Sequence, residues 1–217
     1  VFALNKFPAK KQAKKTKPAI TSVKDKGEEM IWLYLLALNV AVFAVEMFAA
    51  GTVMSLFAFV PAKAASQPWT LITSMFVHAG LTHLFLNMWA LFVFGPILER
   101  MLGAQKFLAL FLIAGIIGNV GFALFYPSNI AGVGASGAIY GILGALAVLA
   151  PNLVVLVFFL PMPMWMAAIA WAIFEYVSAL SPSPIANLVH LTGLAAGIAV
   201  GLYYKKQYAD ELNYYVQ

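Results

Sequence analysis

An all-α fold that crosses a membrane several times is predicted by three observations on this 217-residue chain. Apolar residues make up 63% of it and charged residues only 10%, where a soluble domain is nearer half and a quarter. The mean hydropathy is +0.89. The apolar residues gather in runs of roughly 20, the length that spans a bilayer as a helix, and several runs stop at charged residues.

Six spans are expected. The first, about 30–50, runs from Met30 to Ala50 behind a long polar stretch; being full length, it reads as an anchor rather than a cleaved signal segment. Residues 51–69 are mixed, with Pro61, Lys63, Ser66, Gln67 and Pro68, and read as a long loop lying in the interface. The second span, about 80–99, is closed by Glu99 and Arg100, and the third, about 106–126, runs from Lys106 to Tyr126. The fourth starts near Ser136 and ends at Ala150-Pro151-Asn152. Residues 152–162 are β-branched and aromatic but too short to cross before Pro161 and Pro163, so a shallow or re-entrant segment is expected there, covered by protein because lipid cannot satisfy irregular backbone. The fifth span is about 163–180 and the sixth about 187–204, ended by Lys205 and Lys206.

Basic residues orient these spans. Eight of the thirteen Lys and Arg lie before residue 27, with no apolar core beside them. Placing that tail in the cytoplasm puts Arg100, Lys106, Lys205 and Lys206 inside as well, and only Lys63 outside, as the positive-inside rule requires. The expected organisation is a basic cytoplasmic tail at 1–29, a membrane domain at 30–205 and a short cytoplasmic tail at 206–217. The first tail reads as solvated and disordered, or as a contact for anionic lipid headgroups. Its charge does not lie on a folded basic face, so nucleic acid is not an expected partner. The chain has no cysteine, which excludes disulfides, thiol nucleophiles and cysteine metal sites.

In this orientation Ser136, His190, His78, His83 and Asn87 all fall in the outer half of the membrane. Polar groups there are costly and face a partner or a wet cavity. A serine with a histidine at similar depth is the minimum for an activated nucleophile, the imidazole taking the hydroxyl proton. Tyr140, four residues after Ser136, shares its helix face and can pack on His190. His83 and Asn87 share a face of span two and, with the backbone N–H of Ser136, offer donors to a tetrahedral oxyanion. Gly134 and Gly137 remove side chains where a substrate backbone would approach. No Asp lies in spans two to six, and Glu175, the only carboxylate of spans four to six, is expected nearer mid-membrane as an interhelical bond. The reading is thus a Ser-His dyad without an acid and without a cofactor. Taken singly, Gly134-Ala135-Ser136-Gly137 reads first as a packing motif, His190 equally as a structural hydrogen-bonder or proton relay, and His78 as a loop or interface residue. Gly193, Gly197 and Gly201 form a small-residue ridge that would bring span six against span four.

Other membrane chemistries lack their residues. No H-E-x-x-H occurs, His78 and His83 are off a shared face, and there is no pair of intramembrane Asp, phosphate loop or visible inverted repeat.

Gly134-Ala135-Ser136-Gly137-Ala138-Ile139-Tyr140-Gly141, with His190-Leu191-Thr192-Gly193 and Gly197, closely resembles the rhomboid intramembrane serine proteases. His78-Ala79-Gly80-Leu81-Thr82-His83-Leu84-Phe85-Leu86-Asn87 resembles that family's second span, and the match runs over about 30–205. The resemblance implies a rhomboid-like bundle of six transmembrane helices, with Ser136 as nucleophile and His190 as general base. It implies His83, Asn87 and the Ser136 N–H as the oxyanion site, with Tyr140 stacked on His190. It further implies transmembrane protein substrates that enter from the lipid near spans two and five and are cut near the outer face of the plasma membrane, with residues 181–186 as a cap. One departure stands out: many members carry Trp-Arg in the first loop, where this chain has Trp69-Thr70. Two other readings remain open: a non-catalytic rhomboid-like protein that binds membrane helices, and a small proton-coupled transporter using His190 and Glu175.

Overall fold

The computed structural model describes residues 30–157, 160–180 and 187–207. The expected disordered tail (1–29), the expected cap (181–186) and residues 208–217 lie outside the described residues. Among the described residues, seven α-helices and a hairpin follow in order: α1 Ile31–Phe57, α2 Thr70–Thr73, α3 Leu81–Leu102, α4 Ala104–Phe125, α5 Ser136–Leu149, β1 Val154–Val157, β2 Leu160–Pro163, α6 Met164–Ala179 and α7 Asn187–Gln207.

Four of the six expected spans, α1, α3, α4 and α7, are long and apolar enough to cross a membrane; α5 and α6 are shorter apolar helices. At 1.5 Å per residue, the 14 residues of α5 reach about 21 Å, short of the roughly 30 Å hydrocarbon core. The helices turn apolar side chains outward, Phe48 at 92% exposure and Leu124 at 73%, which suits lipid rather than water. Inside, Leu91, Leu98, Phe107, Phe111, Ile142 and Leu146 are fully buried in one cluster.

The first span runs longer than expected. Residues 51–57 hold no breaker stronger than Gly51, so α1 continues to Phe57, with a kink at Ala49 (φ −138°, ψ 37°). Both its ends are closed by side chains from elsewhere. Glu99 of α3 accepts from the N–H groups of Ile31 and Trp32, each at 2.9 Å, placing a carboxylate where the helix dipole favours one. At the other end Gln67, Trp69 and Thr73 donate to the carbonyls of Ser55, Leu56 and Phe57 at 3.4, 2.8 and 3.0 Å, three acceptors a helix C-terminus leaves open. The first loop is thereby fixed without an arginine. Thr70 is buried, and its hydroxyl donates to the Gln67 carbonyl at 2.6 Å. We expect Glu99→Ala to cost about 3–6 kcal/mol, the worth of two hydrogen bonds to a charged group, read as a fall in melting temperature in detergent. A variant as stable as the parent would remove Glu99 from this role.

The segment expected to be shallow or re-entrant is a regular antiparallel hairpin, with Val154 paired to Pro163 and Val157 to Leu160. Its β-branched residues favour strand, and pairing satisfies backbone that an irregular segment would leave open. Proline has no N–H, so the ladder donors of β2 must be Leu160 and Met162. Pro161 and Pro163 then face the outer edge, which cannot pair with a further strand.

Helix α5 is the most enclosed element, and its most extensive contact is with α7. The ridge on α7 does what the sequence predicts. A Cβ on Gly193 would stand 2.1 Å from the Gly137 carbonyl oxygen, and one on Gly197 would stand 1.9 Å from that of Gly141. Gly144 answers from α5, its missing Cβ 2.3 Å from the Leu194 carbonyl oxygen. The two backbones touch, as small-residue membrane packing allows.

Candidate active site

The close α5–α7 contact sets the site. Ser136 is the first residue of α5, and His190 lies in the first turn of α7. The His190 Nε2 and Ser136 Oγ are 2.8 Å apart. Tyr140, one turn further along α5, lies flat against the His190 ring, with centroids 4.5 Å apart and planes 3° from parallel. The structure thus places Ser136, His190 and Tyr140 together.

The expectation that no acid reaches His190 does not hold. Glu175, in the last turns of α6 and only 3% exposed, accepts a short hydrogen bond from the Tyr140 hydroxyl. The same oxygen, Oε1, lies 2.9 Å from His190 Nδ1. That contact is short but off the N–H direction, so Nδ1 has no aligned hydrogen bond. Glu175 does bond between helices as expected. The last turns of α6, however, meet the first turn of α7, where His190 lies.

The loop before Ser136 is held from three sides. Gly134 donates its N–H to the Ser74 carbonyl at 2.9 Å, and the amide of Asn119 bonds both the Ser74 hydroxyl and the Leu71 carbonyl at 2.8 Å. Phe59 and Gly132 exchange backbone hydrogen bonds at 3.0 and 2.7 Å. Sequence reasoning missed Ser74 and Asn119; Asn119 is an amide inside an otherwise apolar run, the only signal available for it. The residue preceding α5 is Ala135, which offers no side-chain cap. The Ser136 N–H, at the first helical position, has no acceptor among the described residues and lies at a helix N-terminus, where partial positive charge gathers.

The two glycines beside the serine work differently from the expectation. Gly134 has φ +113°, a backbone that L side chains avoid, and its missing Cβ would fall 2.8 Å from His83 Nε2. Its bareness makes room for the His83 imidazole rather than for a substrate. Gly137 faces α4 and α7: its missing Cβ would lie 3.2 Å from Val189 Cγ1 and 3.5 Å from Gly118 Cα. That is helix packing, with no opening for a substrate backbone.

His83 accepts at Nδ1 from the Ala79 N–H at 3.4 Å, which leaves its proton on Nε2, the atom beside Gly134. Its ring also packs edge-on against His78, centroids 5.1 Å apart. His78 is in a loop, as expected, but buried at 4% exposure rather than lying at an interface. Its N–H donates to both oxygens of Glu46 at 3.2 Å. Burial pushes the His78 imidazole down to about 4, and the nearby His83 adds in the same direction. His78 is therefore a neutral packing partner near pH 7. Asn87 is buried one turn from His83 and spends one amide N–H on the His83 carbonyl at 2.8 Å. Its second amide N–H remains, and no hydrogen bond joins it to Ser136 or His190 among the described residues.

The arrangement can take a proton from a serine hydroxyl and present donors around it. The rhomboid-domain family model matches residues 65–207, which hold every site residue above except Glu46 and Phe59. YdcA of Bacillus subtilis, a provisionally named rhomboid protease, is 50% identical over 76 residues, 35% of this chain and 38% of YdcA. Rhomboid protein 1, mitochondrial, of Saccharomyces cerevisiae is 30% identical over 210 residues, 87% of this chain and 57% of that protein. Rhomboid protease GluP of Bacillus subtilis is 45% identical over 85 residues, 38% of this chain and 16% of GluP. A relative from Arabidopsis thaliana is named an inactive RHOMBOID-like protein. The matched part of this chain thus spans about half or less of the length of these relatives. With the family model covering most of the helical bundle, this membrane-embedded chain belongs to the rhomboid family.

Proposed function

We propose that this protein is an intramembrane serine endopeptidase that hydrolyses peptide bonds in or near membrane-spanning segments of other proteins. The observation that carries the reading is the 2.8 Å separation of Ser136 Oγ and His190 Nε2. Relatives named as rhomboid proteases support it. In this mechanism Oγ attacks the scissile carbonyl while Nε2 takes its proton. The oxyanion meets the Ser136 N–H, His83 Nε2–H and the free amide N–H of Asn87. His190 then returns the proton to the leaving amine nitrogen, and water repeats the sequence on the acyl-enzyme. No cofactor enters any step.

The distribution of Lys and Arg supports cytoplasmic termini and a site toward the outer face of the plasma membrane; the mitochondrial relative makes the membrane itself a point to test, by fractionation of tagged cells. Membrane lipids are the remaining partner.

The deciding experiment is reaction of the detergent-solubilised protein with a serine-directed fluorophosphonate, beside Ser136→Ala. Labelling confined to the parent protein supports the reading; an unlabelled parent that also fails to cut a transmembrane peptide favours the non-catalytic, helix-binding alternative. Asn87→Ala should lower kcat about 10- to 1000-fold, the range for one oxyanion donor, with KM little changed; an unaltered kcat would remove Asn87 from the site.

A further inference from the structure

We infer that Glu175 is a positioning residue for His190, making the working unit Ser136-His190-Glu175 rather than a pair; this deepens the hydrolytic reading above and rests on it. Three observations converge on one atom. Glu175 Oε1 lies 2.9 Å from His190 Nδ1, the ring nitrogen that does not face the serine. The same oxygen is held in place by the Tyr140 hydroxyl, whose ring is stacked on the imidazole. The carboxylate is buried, and its other oxygen, Oε2, has no hydrogen-bond partner among the described residues. A simple interhelical tie to Tyr140 explains only the second of these.

The chemistry follows from the placement. Neutral imidazole carries its proton on one nitrogen or the other. A carboxylate at Nδ1 favours the proton there, which leaves the Nε2 lone pair for the Ser136 hydroxyl. When Oγ attacks, its proton moves to Nε2, Nδ1 keeps its own, and Glu175 takes none. The imidazolium so formed stands beside a carboxylate that is only half satisfied. That partnership is worth more in the transition state than in the resting enzyme, so it lowers the barrier. The off-line Nδ1 contact fits a resting state: such hydrogen bonds are often poorly aligned before substrate binds and tighten afterwards.

The test uses Glu175→Gln, close to isosteric and still able to accept from Tyr140. With a transmembrane peptide in liposomes, kcat should fall about 100-fold or more at unchanged KM, as when an orienting carboxylate is made an amide. Glu175→Asp, which keeps the charge, should restore part of it. The second readout needs no turnover. The chain has three histidines, so 15N-histidine labelling resolves the His190 ring. The parent protein should show the proton on Nδ1, and Glu175→Gln should move it toward Nε2. An unchanged kcat overturns the proposal, as does a lower kcat with an unchanged 15N pattern, since that assigns Glu175 to packing alone. Failure of the parent to react with fluorophosphonate is a separate result, visible before any variant is made, and bears on the hydrolytic reading instead.

Discussion

Ser136→Ala is expected to leave no measurable cleavage of a transmembrane peptide, a loss of at least 1000-fold. Removing the nucleophile leaves only the oxyanion donors and binding, and residual rates in serine hydrolases sit several orders below the intact enzyme. The fold should be untouched, because among the described residues the hydroxyl has only His190 Nε2 as a side-chain partner, and one buried hydroxyl hydrogen bond contributes about 1 kcal/mol. His190→Ala should be equally inactive but not equally stable. It strips the stacked partner from Tyr140 and leaves the Glu175 carboxylate facing a void. Leaving a buried polar group without its partner costs about 1–3 kcal/mol. Adding Glu175→Gln to His190→Ala should therefore recover stability without recovering activity. Melting curves beside cleavage rates check both statements, and normal turnover by either single variant would sink the assignment of the pair.

That asymmetry also explains why the site was only partly legible in the sequence. Ser136, His190, Tyr140 and His83 stand out because a polar group in an apolar run needs a reason. Their mutual placement followed from orientation and from the glycine ridge, both of which are sequence patterns. Glu175 carried the same signal and was placed wrongly. Reading residues 163–180 as a symmetric span put it near mid-membrane. Helix α6 begins at Met164, where the span was expected, but Glu175 belongs to its last turns, and these sit level with the first turn of α7. A firmer rule was available: an ionisable group inside a span should be given a named partner, and His190 was the nearest candidate from an adjacent helix. The roles of Gly134 and Gly137 were hidden for a different reason. Their spacing shows that side chains are absent, and only the fold shows that the space belongs to His83 and to α4. The hairpin was hidden because a short apolar run does not say whether it is strand or shallow helix.

The second large effect is expected at Gly197, a residue that touches no reacting atom. Its backbone lies so close to α5 that a Cβ would sit 1.9 Å from the Gly141 carbonyl oxygen and 2.7 Å from Gly141 Cα. Ordinary contact begins at 3.4 Å, and neither partner is a side chain that can swing away. Gly197→Ala must then push α7 from α5 by more than an ångström. The same two helices carry His190 and Ser136, whose 2.8 Å contact cannot survive such a shift unaided. Misplacement of about 1 Å is enough to cost about 100-fold in rate, and lost packing along the seam should lower the melting temperature as well. Gly51→Ala provides the control within the same chain. Gly51 also lies inside a long helix, yet nothing stands within 4 Å of its missing Cβ and its φ is ordinary. Alanine there should be neutral or stabilising by up to about 1 kcal/mol from helix propensity. If Gly197→Ala cut substrate as fast as Gly51→Ala, the α5–α7 seam would not be what sets the serine against the histidine. If only Gly197→Ala failed, while still folding in detergent, the catalytic distance would be traced to two bare backbones and not to the polar residues themselves.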